Sequence, residues 1–517
     1  MKNRHHLLTL AVAITLANAA HAQITGPSSS ASPYVTSSIP GVTVTSILTV
    51  GDSVNLKPDG ITPYRMVGIP DGMGAYDNND GTFTVLLNHE LGNAVGVTRA
   101  HGAVGSFVSK WIINKSNFSV VNGSDLIQTV STWNTVNSNY NAPTTGIAIG
   151  RLCSGDLAPV SAYYNSLSGL GTQNRIFQSG EEVGAEGRQF AHIVTGASAG
   201  ISYELPRLGK FSWENGVANP GTGDKTIVLG TDDTTPGQVY LYIGNKQNTG
   251  NDIEKAGLTN GGLYGIKVTT TNSDRLENRT TGFDGVAANE DSQGFTLFNH
   301  GNVENTTGAA LQAASAAAGV TEFLRPEDIA WSLTDATKAY FVTTDRFDTG
   351  LVVGASRLYE LDFADANDFT LGGTLTMLIE GSGAANGQMF DNIAVTADGK
   401  IIIQEDPGNQ AYLAKTWSYD IGTDTLTELL VSDSARFSAP LAPFSQDEES
   451  SGVIDISAII GDGNTYYLGN MQAHYGIAGE LVEGGQLYVV QAVPEPTTAI
   501  SLLGGLGLLL GFRRRRA

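Results

Sequence analysis

Cysteine is almost missing from this 517-residue chain: Cys153 stands alone, so no disulfide can form within it. A lone thiol is either a small buried hydrophobe or a metal ligand shielded from oxidation, and both readings stand at this point. Basic residues are scarce as well, with 29 Lys and Arg against 51 Asp and Glu and a net charge of −22. Such a balance argues against nucleic acid or an anionic membrane surface as a partner. It gives the chain reason to hold divalent cations, although acidity also maintains solubility. Helix signals are few: Thr306 to Gly319 is the one clear candidate, alanine-rich with a threonine start and a glycine stop. The chain has no Gly-x-Ser-x-Gly elbow and no His-Glu-x-x-His helix, which argues against the common serine hydrolase and zinc protease designs.

The longest apolar runs lie at the two ends. Residues 1–22 combine a basic start (Lys2, Arg4), an apolar run from Leu7 to Leu16 and a small-residue stretch, Ala20-His21-Ala22. That pattern predicts a cleaved secretory signal and export through the inner membrane. At the far end Pro494-Glu495-Pro496 precedes an apolar stretch from Thr498 to Phe512 and then Arg513 to Arg516. The stretch is shorter than the roughly 20 residues of a comfortable membrane span. The arginines are expected to stay cytoplasmic, leaving the globular part outside. Residues 493–517 closely resemble the PEP-CTERM sorting signal of Gram-negative bacteria. The resemblance implies an exosortase as partner, transient inner-membrane anchoring, and a cell-surface or extracellular destination; an ordinary single-pass anchor is the alternative. Without both ends the net charge becomes about −27, since Lys2, Arg4, Glu495 and Arg513 to Arg516 are lost.

Between the ends, short apolar runs alternate with Gly, Asn, Asp, Ser and Thr clusters, and there are 63 glycines. This is the texture of short strands joined by turns. Gly237-Gln-Val-Tyr-Leu-Tyr, Gly262-Leu-Tyr-Gly-Ile, Ser356-Arg-Leu-Tyr-Glu-Leu and Gly485-Gln-Leu-Tyr-Val-Val form a weak repeat, as equivalent strands of successive blades would. Asp80-Gly81, Asp398-Gly399 and Asp462-Gly463 sit beside strand-like runs and predict hairpins. The reading is all-β, a β-propeller with irregular loops and one short helix; a pair of β-sandwiches is the competing architecture. Residues 23–59 are read as an N-terminal spacer and first strands, with Gln23 to Val44 a mobile, Ser/Thr/Pro-rich segment. Asn139 to Thr145 and Pro440 to Gly452 are read as exposed loops, the acids of the latter as a solvated face.

The stretch Arg325-Pro326-Glu327-Asp328-Ile329-Ala330-Trp331 places a permanent cation two residues from one carboxylate and three from another, just ahead of a strand. Arginine's planar fork suits phosphate or carboxylate, while carboxylates suit hard cations. A surface ion pair at a turn is the plainer account of such a pair. Acids beside turn residues recur at Asn88-His89-Glu90, Gly180-Glu181-Glu182, Asp232-Asp233, Asp391-Asn392 and Glu405-Asp406. In a propeller, loops and strand ends from separate blades converge at one mouth of the channel. Carboxylates gathered there would repel one another unless cations neutralised them. His89, His101 and His474 are read mainly as structural hydrogen-bonding groups, and His300 as a turn residue.

The order Leu87-Asn88-His89-Glu90, His101-Gly102, Cys153, Gly180-Glu181-Glu182, Gly230-Thr-Asp-Asp233, Arg325-Pro-Glu-Asp328, Asp391-Asn392 and Asn470-Met-Gln472 resembles the PhoX-type alkaline phosphatase family, over about residues 60–490. The resemblance implies a secreted phosphomonoesterase on a six-bladed propeller, with Ca²⁺ and an iron pair that includes a cysteine ligand. It implies Cys153 as the thiolate ligand, Glu327 and Asp391 as metal-ligating carboxylates, and Glu90, Glu182 and Asp233 in or near the metal shell. Arg325 would hold the phosphate, and Arg325 and Glu327 would form the catalytic pair acting on phosphate-ester small molecules. The chain departs from the family pattern at Thr234 and Thr235, where another acid is usual, around Cys153, and at Gln472-Ala-His474-Tyr-Gly. A calcium-stabilised, non-catalytic surface or biofilm matrix protein is the alternative, and a related esterase or phytase-like enzyme is a third.

Overall fold

The computed structural model describes residues 22–269, 277–278, 282–283, 292–345, 356–381, 385–409, 411–438 and 440–492. The expected signal segment, save Ala22, and the expected sorting tail lie outside the described residues. Among the described residues no helix is long and apolar enough to cross a membrane.

The chain is mostly β, and its architecture follows from six short strands that lie innermost: β1 (Pro70–Asp77), β2 (Leu152–Asp156), β3 (Trp213–Ala218), β4 (Pro326–Trp331), β5 (Phe390–Val395) and β6 (Glu448–Asp455). Each packs against the next, and β6 returns to β1, so the six close a ring. Each also pairs antiparallel with the strand that follows it in sequence. Further strands extend outward, giving sheets of four and five strands and one of nine that carries both β3 and β4. Large apolar side chains fill the space between neighbouring sheets, for example Trp111 and Leu87 with Leu468, and Leu86 with Phe177.

The expected Asp-Gly turns lie between β1, β5 and β6 and their following strands (Thr82–His89, Lys400–Glu405 and Thr465–Ile477); the last of them is preceded by a short helix, Ser457–Ile460. Of the four tyrosine repeats, three fall on third strands, counted outward from the ring, in their sheets (Val239–Asn245, Ser356–Phe363 and Val482–Ala492). Gly262–Val268 is a fourth strand. The expected helix is α1 (Gly308–Ala318), with the Thr307 hydroxyl accepting from the Ala310 amide and Gly319 closing it in a left-handed conformation.

The spacer reading of residues 23–44 is corrected. Ala22–Thr25 lies parallel to Val42–Thr49, which pairs antiparallel with Val482–Ala492, and Val35–Ser37 edges the sheet of β5. Tyr34 and Val44 are buried in the core. The polar composition that suggested a spacer suits strands at sheet edges, which carry polar residues on the side that faces water.

Candidate metal and anion site

Every inner strand is irregular, five of them at the start and β6 in its middle. The register against the following strand slips by one residue between Pro70 and Met73, Leu152 and Gly155, Trp213 and Gly216, Pro326 and Ile329, Phe390 and Ile393, and Ser451 and Val453. A bulge re-aims side chains and ends regular pairing. Immediately before four of these strands the backbone turns left-handed at a non-glycine residue: Ile69 (φ 50°), Arg151 (33°), Arg325 (57°) and Met389 (52°). Such conformations cost about 1–3 kcal/mol each and persist where the surroundings over-determine them.

The consequence is a sixfold pattern. The second residue of each inner strand is Asp71, Cys153, Glu214, Glu327, Asp391 or Glu449. The ends of the following strands add Glu90, Glu182 and Asp406. These groups converge in four overlapping triads, Asp71/Glu90/Cys153, Cys153/Glu182/Glu214, Glu214/Glu327/Asp391 and Asp391/Asp406/Glu449, within each of which ligand atoms lie within 4.8 Å of one another. Cys153 Sγ stands 3.5 Å from Asp71 Oδ2. Asp233 enters through Arg325, whose Nε and Nη2 reach its two carboxylate oxygens at 2.7 and 2.9 Å, while Nη2 lies 2.8 Å from Glu327 Oε1. Arg151 bridges Glu90 at 2.5 Å and Glu182.

A second tier of small polar side chains clips the ring together. Asn470 Nδ2 donates to the Asp71 carbonyl at 2.6 Å, Asn88 Nδ2 to that of Cys153 at 2.7 Å, Asn215 Nδ2 to Asp328 Oδ1 at 2.6 Å, and Asn392 Nδ2 to Ser154 Oγ at 2.6 Å. Asp328 also accepts from the Ile393 amide at 2.9 Å, tying β4 to β5. At Gly72 a Cβ would fall 2.1 Å from the Gly155 nitrogen, so only glycine lets β1 approach β2 this closely.

Burial and mutual repulsion dominate the electrostatics. Desolvation first, and neighbouring carboxylates second, push Asp71, Glu182 and Glu214 well above the usual carboxylate range. Desolvation likewise raises Glu90, Glu327, Asp391 and the Cys153 thiol, and takes Asp406 to about 7. Asp71 Oδ1 and Glu214 Oε1 are buried with no hydrogen-bond partner. Eight carboxylates and a thiol packed this closely, with orphaned oxygens among them, fit divalent or trivalent cations. The oxygen-rich donors suit hard cations, and the thiolate at one position suits a transition metal.

Cys153, Glu90, Glu182, Glu327 and Asp391 thus meet at one end of the ring, with Arg325 and Asp233 beside them. The triads of Cys153 and of Glu327 and Asp391 are neighbours joined by Glu214, not a single cluster. Sequence reasoning missed Asp71, Glu214 and Arg151. The solvated reading of the acids in Pro440 to Gly452 is corrected: Glu448 and Glu449 belong to β6 and are buried or largely so, Glu449 facing the site. His474 lies beside it, 2.8 Å from Glu483 and 3.5 Å from Glu449. Hydrogen bonds to those two carboxylates outweigh burial and raise its pKa to about 11, so it is cationic. His89 is a neutral structural group, held by the Gly68 carbonyl and Ser109. His300 lies on a strand, where its ring meets Tyr240 and Phe298, not in a turn.

A ring of inward acids with arginines beside it, on a propeller-like scaffold, has the donors to suit cations and the charge to suit an anion. In comparison with known proteins, residues 201–436, a little under half of the chain, match the model of the alkaline phosphatase PhoX family. That span holds Glu214, Asp233, Arg325, Glu327, Asp391 and Asp406, whereas Asp71, Glu90, Cys153, Glu182 and Glu449 lie outside it. The fold is similar to that of Pseudomonas fluorescens PhoX in complex with vanadate, a transition state analogue, at 13% identity and a TM-score of 0.59, covering 91% of this chain and 98% of that one. Synechocystis apocarotenoid oxygenase is a much looser match, at 9% identity, 81% and 89% coverage and a TM-score of 0.34. So is the Podospora anserina α-L-arabinofuranosidase in complex with cellotriose, at 9%, 71% and 96%, and 0.32. No curated protein matches the sequence.

Proposed function

We propose that this chain is an exported, metal-dependent phosphatase of the PhoX kind that hydrolyses phosphate monoesters, with the six inner strands heading the blades of a six-bladed propeller. The observation that carries the reading is the placement of Arg325 beside Glu327, Asp233 and the carboxylate triads, inside the span that matches the phosphatase family. Asp71, Glu90, Cys153, Glu182, Glu214, Glu327, Asp391, Asp406 and Glu449 would hold Ca²⁺ and iron. The cations, when bound, would supply Lewis acidity toward the phosphoryl oxygens.

In this mechanism the Arg325 guanidinium stands beside the phosphate and its charge stabilises the charge that spreads over the equatorial oxygens. Asp233 and Glu327 fix the plane of that guanidinium from two sides, and the left-handed backbone at Arg325 aims it. Water supplies the oxygen that joins phosphorus as the bond to the alcohol breaks, and no serine nucleophile is needed. The export signal, the exosortase partner, transient membrane anchoring and a cell-surface destination belong to the same proposal.

One observation favours the non-catalytic, calcium-stabilised reading: Arg325 Nε and Nη2 are already taken by Asp233 and Glu327. The test is hydrolysis of p-nitrophenyl phosphate by the mature protein loaded with Ca²⁺ and iron, beside Arg325→Ala. Turnover lost in the variant is expected. Stoichiometric metal without turnover in the parent protein would favour the matrix role, and absence of both metals would overturn both readings.

A further inference from the structure

The site contains a second arginine built like the first. Arg325 and Arg151 each occupy the residue directly before an inner strand, each with a left-handed backbone, at φ 57° and 33°. Each guanidinium bridges a carboxylate of its own pair of inner and following strands to one at the end of the preceding pair: Arg325 joins Glu327 to Asp233, and Arg151 joins Glu182 to Glu90. Non-glycine residues rarely adopt this conformation without a positional reason. That two arginines do so at matching places marks a repeated device.

They differ in exposure. The Arg325 side chain is 21% exposed and sandwiched, whereas that of Arg151 is 48% exposed at the mouth. Its Nη2 holds Glu90 and Glu182, two members of the cation-binding triads. Cations in those triads would compete for the same oxygens and free the guanidinium to turn toward the mouth, where a substrate phosphate arrives. We propose that Arg151 is a second anion-binding arginine, which grips the phosphate from β2 while Arg325 holds it from β4. The proposal rests on the phosphatase reading and deepens it, assigning a dianionic phosphate gripped by two guanidinium groups.

The test measures calorimetric binding of inorganic phosphate to the metal-loaded protein, with metal content determined in parallel, for the parent chain, Arg151→Gln and Arg151→Lys. Loss of one charge-assisted donor pair should weaken phosphate binding about 10- to 100-fold in Arg151→Gln. Arg151→Lys should recover part of the loss, and the metal content of both variants should equal that of the parent. In turnover, KM should rise by more than kcat falls. Unchanged phosphate affinity in Arg151→Gln would overturn the inference while leaving the phosphatase reading intact. Loss of metal in both variants would overturn it too, making Arg151 a structural counterion. Failure of the metal-loaded parent chain itself to bind phosphate would overturn both readings.

Discussion

Glu214 is the residue on which the two halves of the proposed cation site turn, because among the described residues it alone joins the triad of Cys153 and Glu182 to that of Glu327 and Asp391. Replacement by glutamine keeps its size and removes its charge. At an effective dielectric near 20, two full charges 4.8 Å apart repel by about 3 kcal/mol, and Glu214 faces such neighbours on both sides. Its buried Oε1 also has no hydrogen-bond partner to lose. Without cations Glu214→Gln should therefore be more stable than the parent by about 1–3 kcal/mol, part of the repulsion being already relieved by protonation. With cations the order reverses, because two triads each lose a ligand. The assay is urea unfolding in chelator and in excess Ca²⁺ and iron, with elemental analysis of the loaded samples. Asp406→Asn, which touches only the last triad, serves as the control and should lose less metal. A Glu214→Gln protein that is less stable in chelator, or that keeps the parent's full metal content, would refute the reasoning.

Other outcomes follow from the same geometry. His192, fully buried between Ser179 and Ser202, has its pKa lowered by burial to about 3. The unfolded chain takes up that proton near pH 6.5, so the stability His192 contributes is present above pH 6.5 and lost as pH falls toward 3. Relative to the parent, His192→Gln should show a slope of stability against pH shallower by up to about 1.4 kcal/mol per pH unit in that window, read from denaturant midpoints. Gly72→Ala should destabilise the protein by about 3 kcal/mol, since its Cβ meets the β2 backbone at 2.1 Å; a loss under about 1 kcal/mol would show that the strands can separate there. Asn470→Ala should cost about 1–3 kcal/mol by leaving the Asp71 carbonyl without its donor, measured as a shift in urea midpoint at constant slope. Cys153→Ser should reduce bound iron while sparing bound Ca²⁺, as read by elemental analysis, because the soft donor is removed and the oxygen donors stay.

The parts of the site legible in the sequence were those where chemistry is contiguous. Arg325 and Glu327 lie two residues apart, and Glu90, Glu182 and Asp233 end runs that read as strands. Asp71 sits in Pro-Asp-Gly, the grammar of a turn, and Glu214 in Trp-Glu-Asn-Gly with no charged neighbour; neither announces a ligand until the bulges align them around the ring. Glu449 follows two other acids, and a run of like charge normally faces water. The inner strands themselves carry little alternation, because they are short, bulged and packed on both faces, so period-2 patterning is lost. The hairpins and the helix were legible because Asp-Gly turns and a threonine cap with a glycine stop act locally. The place of residues 22–49 was not, because Val42–Thr49, to which Ala22–Thr25 adds, is held by a partner more than 400 residues away, and Val35–Ser37 by one nearly as distant.

That distant pairing constrains how the protein is made. Val42–Thr49 is among the first strands to be synthesised, and it can find Val482–Ala492 only when nearly the whole polypeptide exists. Pairings of such long sequence separation form slowly, so a nascent chain has an orphaned leading edge throughout its synthesis. Completion of that sheet is therefore a last step that waits for the far terminus, so the export proposed above would meet a chain that has not yet locked shut.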